Sequence, residues 1–418
     1  MNRPVWEVAE VIRLFGEGFR EHFALGSHQK KALTDLANCR TAALGGHLDA
    51  CDTCGTVQIS YNSCRNRHCP KCQGLEREAW VLAREGELLP VPYYHVVFTL
   101  PSELNGLCLH NPGFCYDTLF ESAWETLRTF AAGTRWLGAK TGATMVLHTW
   151  GQQLMLHPHV HCIVPGGGLD KGGHWQKPRR SGKDGGRFLF PVKAMSGVFR
   201  AIFMKKLRPA LEAGALALPE NESCFGSPGP YRAWRKALYG KAWVVYAKRP
   251  FGGPKQVIEY LGRYTHKSAI SNHRLLEVGK ETGVRFSYKD YRTGGEHKEM
   301  RLDGVEFLRR WCLHVLPPGF RRMRHYGILS NALKTRALDA CRRALSGGRG
   351  LWPVPVKMTR REIRRAALER LWRGRDPQAC PCCGEGRLVR TGIIPPQARA
   401  PPPKGASGVM PQWIALEE

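Results

Sequence analysis

Acidic side chains and long apolar runs are what this chain has least of. Its 35 Asp and Glu face 63 Lys and Arg, leaving a formal net charge of +28 over 418 residues. A deficit of that size points to a polyanionic partner, most simply nucleic acid held through its phosphates, without separating DNA from RNA. No run of about eighteen apolar residues occurs, which argues against a transmembrane helix. Residues 1–15 lack the apolar segment of a secretory signal, so the expected compartment is the cytoplasm. The glycine run at 165–168 is not completed by Gly-Lys-Ser/Thr, which argues against a phosphate-binding loop and a nucleotide cofactor. No internal repeat is present. With 43% hydrophobic residues the length allows two or three domains and at least one substantial core.

Cysteine, by contrast, is plentiful, with fifteen in the chain and six of them between Cys39 and Cys72. A reducing cytoplasm makes metal ligation a better reading than disulfides. Cys51-x-x-Cys54 and Cys69-x-x-Cys72 are two knuckles separated by fourteen residues, and the spacing predicts one tetrahedral zinc between them. Cys39, His47, Cys64 and His68 make a second, interleaved set, a candidate for a second zinc. Arg65, Arg67, Lys71 and Arg77 sit around the knuckles, so the module reads as structural and DNA-binding, gripping phosphates as well as folding around metal. Cys380-Pro-Cys-Cys383 is half a knuckle with no evident partner pair. It either borrows ligands from elsewhere or is inert.

A different cluster lies at 156–162, Leu-His-Pro-His-Val-His-Cys. In a strand, His159 and His161 point to the same face across Val160. Two neutral imidazoles aimed at one point make half of a metal site. If the segment containing His148 pairs with this one as a hairpin, it supplies a third nitrogen. The competing reading is a set of surface histidines, against which the apolar flanks weigh.

Elsewhere the pattern alternates between helix and strand. Val8, Val11, Ile12 and Phe15 share a helix face, and residues 93–100 alternate as a strand. Residues 113–137 and 199–211 read as helices, 243–246 and 284–288 as strands, and 307–326 as a basic helix interrupted by Pro317-Pro318-Gly319. Together they predict an α+β fold with an antiparallel sheet. Pro254 stands near the start of a helix in which Tyr260 and Tyr264, four apart, share one face. Such a pair is ordinarily core packing, and Gly262 weakens the helix. The charged company of Glu259, Arg263, His266 and Lys267 favours a functional face instead. Residues 358–375 form a basic amphipathic helix suited to phosphates, and five prolines mark 394–410 as disordered. The expected division is residues 1–92 for zinc and DNA binding, 93–280 for catalysis, a basic mainly helical 281–393, and a tail.

A divalent metal on imidazoles polarises a phosphodiester and neutralises charge developing on phosphorus. A tyrosine hydroxyl, with a reference pKa of about 10, needs such a field to attack it. Attack yields a covalent tyrosyl–DNA ester that keeps the energy of the broken bond, so rejoining needs no ATP. A second tyrosine permits a second cleavage while the first ester persists.

His159-Val160-His161 with Tyr260-x-x-x-Tyr264 resembles the HUH endonuclease superfamily. Cys51-Asp-Thr-Cys-Gly, Ser-Cys-Arg-Asn-Arg-His-Cys-Pro-Lys-Cys-Gln at 63–73, the histidine segment and Tyr-Leu-Gly-Arg-Tyr-Thr-His at 260–266 together resemble rolling-circle insertion-sequence transposases of the IS-ninety-one type. The resemblance runs from about residue 30 to about 330. It implies a structural zinc domain before a ferredoxin-like catalytic sheet, with the histidine pair on a central strand. It also implies nicking of single-stranded DNA at the element's ends through 5′-phosphotyrosine links, in a bacterial, nucleoid-associated setting. His159 and His161 carry over as metal ligands, Tyr260 and Tyr264 as nucleophiles; His148 as third ligand is inferred here. The superfamily is associated with Mg2+ or Mn2+, although three imidazoles suit zinc or manganese better on softness. Arg263 and Lys267 join Arg65, Arg67 and Lys71 as DNA contacts. A plasmid replication initiator or relaxase shares this chemistry, and a non-catalytic zinc-finger regulator is the reading from another class.

Overall fold

The computed structural model describes residues 4–179, 189–218, 228–248, 256–257, 260, 262, 265–347 and 358–397. Arg263, Tyr264, the helix start at Pro254 and the tail from 398 lie outside these residues.

The expected antiparallel sheet is present as five strands in the order Met323–Gly327, Gly142–Trp150, Leu156–Pro165, Tyr93–Thr99, Val245–Ala247, every neighbouring pair antiparallel. The histidine segment is therefore the central strand. Alternation decides what each face carries. Val96, Phe98, Met145, Leu147, Val160 and Cys162 turn to one side and pack with Leu119, Phe120, Phe199 and Phe203 of the helices Pro112–Ala132 and Val192–Glu212. His95, His148, His159 and His161 fall on the other side, out of that aromatic and aliphatic layer.

A second core gathers the amino-terminal helices and a three-stranded sheet. Helix Val8–His22 starts where Glu7 and Glu10 cap each other's amides, and it buries Val8, Val11, Ile12 and Phe19. These pack with Leu33 of helix Ser27–Ala37, with Phe286 of the antiparallel sheet Leu275–Gly279, Gly283–Asp290, Glu296–Leu302, and with Phe307 and Trp311 of helix Gly304–Cys312. Asp303 caps that last helix by accepting from the amides of Val305 and Glu306.

Residues 307–326 differ from the helix expected. The helix ends at Cys312, before the two prolines that cannot continue it, and Met323–Gly327 becomes an edge strand against Gly142–Trp150. The stretch 281–393 thus contributes to several places. Helix Arg360–Trp372 packs on helix Gln73–Glu85, and Leu388–Ile394 pairs with Gly46–Cys51, which in turn pairs with Val57–Tyr61. Among the described residues no helix is long and apolar enough to cross a membrane.

Candidate active site and metal centres

The hairpin of Gly142–Trp150 and Leu156–Pro165 sets His148 directly opposite His159, with Val146 opposite His161. One ligating nitrogen from each of His148, His159 and His161 lies within 4.8 Å of the others. Nε2 of His159 and Nε2 of His161 are 3.1 Å apart, while His148 stacks on Trp150 at 4.5 Å. Burial lowers His159 to about 4, with His157 adding to the effect, and burial drives His161 well below the ordinary value. Both rings are therefore neutral near pH 7, the form that ligates metal. Three convergent imidazoles fit a divalent ion.

His95 was not singled out from the sequence, and it completes the site. It lies on Tyr93–Thr99, two residues from Val97, which faces His161 across the ladder. Its ring stacks on that of His161 at 5.1 Å, with His95 Nε2 to His161 Nδ1 at 2.9 Å. On its other side, His95 Nδ1 is 3.3 Å from Tyr260 Oη. Burial first, then the charge of Lys248, lowers His95 to about 3. The Lys248 ammonium also lies 5.4 Å from the Tyr260 ring. The available signal was phase: in 93–100 the histidine falls with Val97 and Thr99, opposite Tyr94, Val96 and Phe98.

The tyrosine segment is held from two directions. Arg322, buried, donates to the carbonyls of Thr265 at 2.7 Å and Lys267 at 3.0 Å, while its own carbonyl accepts from Leu147 in the histidine hairpin. Gly262 is packed against Val81 of helix Gln73–Glu85 so closely that a Cβ would collide with the valine methyl. Lys267 itself is exposed.

The cysteines regroup relative to the expected sets, one zinc on the two knuckles and a second on Cys39, His47, Cys64 and His68. Cys69 and Cys72 join Cys39 and Cys64, while Cys51 and Cys54 join Cys380 and Cys383. The reason is length. Cys39 and Cys64 flank the Gly46 end of a six-residue strand whose far end carries Cys51, and six residues span roughly 20 Å, too far for one ion to serve both knuckles. His47 and His68 belong to neither group. His47 Nε2 pairs with Asp49 at 3.2 Å, and His68, lowered to about 3 by burial and then Arg67, meets the Trp311 ring at 6.5 Å.

In the first tetrad, sulfur separations are 3.4 Å for Cys39–Cys72 and 3.6 Å for Cys64–Cys72 and Cys39–Cys69. Tetrahedral zinc at an S–Zn distance of about 2.3 Å places sulfurs about 3.8 Å apart, so the set fits with a small expansion. Hydrogen bonds from Cys64 and Cys69 lower the Cys39 thiol to about 7, and those from Cys39, Cys64 and Cys69 hold Cys72 far below its ordinary value. A thiol so disposed gives up its proton readily to a metal.

Of the expected DNA contacts, Arg65 is exposed. Arg67 is not available for phosphate: its guanidinium donates to the carbonyls of Phe320 at 2.7 Å, Pro317 at 2.9 Å and Leu316 at 3.1 Å. Lys71 is likewise engaged, by Glu7 at 2.6 Å and the Cys39 carbonyl at 3.0 Å. In the helix Arg360–Trp372, Arg370 forks onto both oxygens of Glu85 at 2.9 Å and Arg364 reaches Glu76 at 3.4 Å. Those two arginines face protein.

Residues 142–336, which include His148, His159, His161 and Tyr260, match a family model described as "Putative transposase". Residues 11–100 match a "Transposase zinc-binding domain" of the IS91 type, and the Cys39, Cys64, Cys69, Cys72 tetrad lies wholly inside it. The chain is 43% identical over 395 residues to "Putative transposase y4qJ" of Sinorhizobium fredii (strain NBRC 101917 / NGR234), covering 94% of this chain and 97% of that one. It is 29% identical over 379 residues to the "Transposase for insertion sequence element IS801" of Pseudomonas savastanoi pv. phaseolicola, covering 90% of this chain and 86% of the relative.

Proposed function

The chain belongs to the IS91-type transposase family, and from that premise we propose that it nicks and rejoins single-stranded DNA at transposon ends through 5′-phosphotyrosine intermediates of Tyr260 and Tyr264. The process served is rolling-circle transposition. One observation carries the reading: the Tyr260 hydroxyl is linked through His95 to the convergent triad of His148, His159 and His161. A tyrosine merely packed in a core has no reason to end on that relay.

The triad would hold Mg2+ or Mn2+, which when bound neutralises charge developing on the scissile phosphate. The chain's own residues do the rest. His161 Nε2 faces the triad, so its Nδ1–H donates to His95 Nε2. His95 then carries its proton on Nδ1 and presents it to Tyr260 Oη, where it stabilises the phenolate that attacks phosphorus. Lys248 near the ring favours the same anion. The Tyr260 phenol gives its proton to water, attack forms the phosphorus–Oη bond and breaks the phosphorus–O3′ bond, and the leaving 3′-oxygen takes a proton from water to become a 3′-hydroxyl; reversal by a 3′-hydroxyl restores the strand without ATP. Tyr264, four residues on, supplies the second nucleophile. Arg65, Arg263 and Lys267 supply phosphate contacts, and the zinc module positions DNA before the catalytic sheet.

The test is a denaturing gel with labelled single-stranded oligonucleotides from the element's ends and Mn2+ or Mg2+. A metal-dependent covalent adduct is expected for the wild type and is lost in the Tyr260→Phe/Tyr264→Phe double variant. Nicks without an adduct that persist in the double variant would replace this mechanism with hydrolysis by metal-bound water. Binding with no cleavage under any metal would leave a regulator.

A further inference from the structure

The geometry points to a second zinc ion, held by Cys51, Cys54, Cys380 and Cys383, that fastens the carboxy-terminal arm to the amino-terminal module. Two of these four ligands lie outside the span matched by the zinc-binding domain. The sulfurs of Cys51 and Cys383 are 3.7 Å apart, as are those of Cys54 and Cys380. That separation is within about 0.1 Å of the edge of a zinc–thiolate tetrahedron and far beyond a disulfide bond.

The two halves have the same build. Each is Cys-x-x-Cys-Gly, and each glycine takes a left-handed conformation, Gly55 at φ +72° and Gly384 at +74°. In each, the glycine amide donates to the carbonyl of the first cysteine, at 3.1 Å for Gly55 and 3.0 Å for Gly384. Backbone amides also point at sulfur: those of Thr53 and Cys54 lie 3.4 Å from Cys51 Sγ, that of Cys382 is 3.4 Å from Cys380 Sγ, and that of Gly386 is 3.3 Å from Cys383 Sγ. Amides aimed at sulfur stabilise thiolates, the form that binds zinc. Gly386 leaves room that a Cβ would fill, since one there would collide with Cys51 Sγ and Thr53. The exposed Cys382 stands outside the tetrad.

The site also has a mechanical consequence. Cys51 opposes Leu388 at the end of the Gly46–Cys51 and Leu388–Ile394 pairing, and Asp52 and Arg387 exchange hydrogen bonds of 3.0 and 2.8 Å beside it. The ion thus closes a loop between residues far apart in sequence, where a cross-link restrains the chain most. The arm so fastened carries helix Arg360–Trp372, which lies on helix Gln73–Glu85, and that helix abuts Gly262 of the tyrosine segment.

The test is zinc counting on the full chain, wild type against Cys380→Ser/Cys383→Ser, by acid release and a colorimetric chelator. A loss of one zinc per chain is expected, whatever the histidine triad holds, and limited proteolysis should then release the carboxy-terminal arm. An unchanged zinc count would overturn the assignment. Because the variant can misfold, a second measurement uses the wild type alone, alkylating thiols before and after chelation and mapping them by mass spectrometry. Cys51, Cys54, Cys380 and Cys383 should be protected together and exposed together, with Cys382 labelled throughout. Labelling of Cys380 and Cys383 as fast as Cys382 in the zinc-loaded protein would sink the proposal.

Discussion

Replacing Arg67 by Ala separates two roles that a basic residue in a zinc module is ordinarily given together. Its guanidinium ties the cysteine loop to the turn after helix Gly304–Cys312 through three carbonyls, at 2.7, 2.9 and 3.1 Å. A hydrogen bond from a charged donor contributes about 1.5–3 kcal/mol net, and its loss leaves an acceptor to be rehydrated. The side chain is partly exposed, so water recovers some of that. The expected destabilisation for Arg67→Ala is therefore about 3–5 kcal/mol rather than the full sum. Arg67→Lys keeps the charge but not the fork, and should recover less than half of the loss. The assay is urea unfolding at fixed zinc, paired with single-stranded DNA binding across a salt series. The slope of log K against log salt should stay unchanged, because the residue makes no phosphate contact. A variant of undiminished stability whose slope falls by about 0.7, the share of one phosphate on single-stranded DNA, would refute the reasoning.

Three further outcomes are expected. His95→Ala should slow formation of the covalent adduct by roughly 10²–10³-fold, the cost of losing one hydrogen-bond donor to a developing anion, while DNA binding and zinc content stay constant; an adduct at the wild-type rate would remove His95 from the mechanism. His314, buried with Nε2–H donating to the Leu154 carbonyl at 3.0 Å and Nδ1 accepting from Thr149 at 3.1 Å, is lowered by burial from 6.5 to about 4. The unfolded chain takes up that proton first, so stability is present above about 6.5 and lost as pH falls towards 4, by up to about 3 kcal/mol. Urea unfolding of wild type and His314→Asn at pH 7 and pH 4.5 should show a shallower pH dependence in the variant. Phe98→Ala, fully buried with its ring 5.0 Å from Phe199, should cost about 3–5 kcal/mol in urea unfolding without altering metal content.

Local pattern makes much of this legible in the sequence alone. The period-two alternation of 93–100 and the His-x-His spacing define faces by themselves, because a strand cannot put His159 and His161 on opposite sides. Helix Val8–His22 followed from residues three and four apart. What failed was of another kind. The two Cys-x-x-Cys pairs nearest each other in sequence suggest one shared ion, although the strand between them holds them apart. The basic residues Arg67 and Lys71 suggest phosphate ligands by their type, although carbonyls and Glu7 claim them. Residues 323–327 look helical in composition, yet an open sheet edge recruited them.

The chain's linear order therefore determined which chemistry is present: imidazoles in phase on one strand, thiols in knuckles, tyrosines one helical turn apart, and a strong positive charge. These depend on spacings of two to four residues, where backbone geometry leaves little choice. Only tertiary structure decided partnership. His95 meets Tyr260 and His161, and Cys380 and Cys383 meet Cys51 and Cys54, across separations of up to hundreds of residues. Such contacts depend on sheet order and strand length, quantities set by the packing of the whole chain and encoded at no single position.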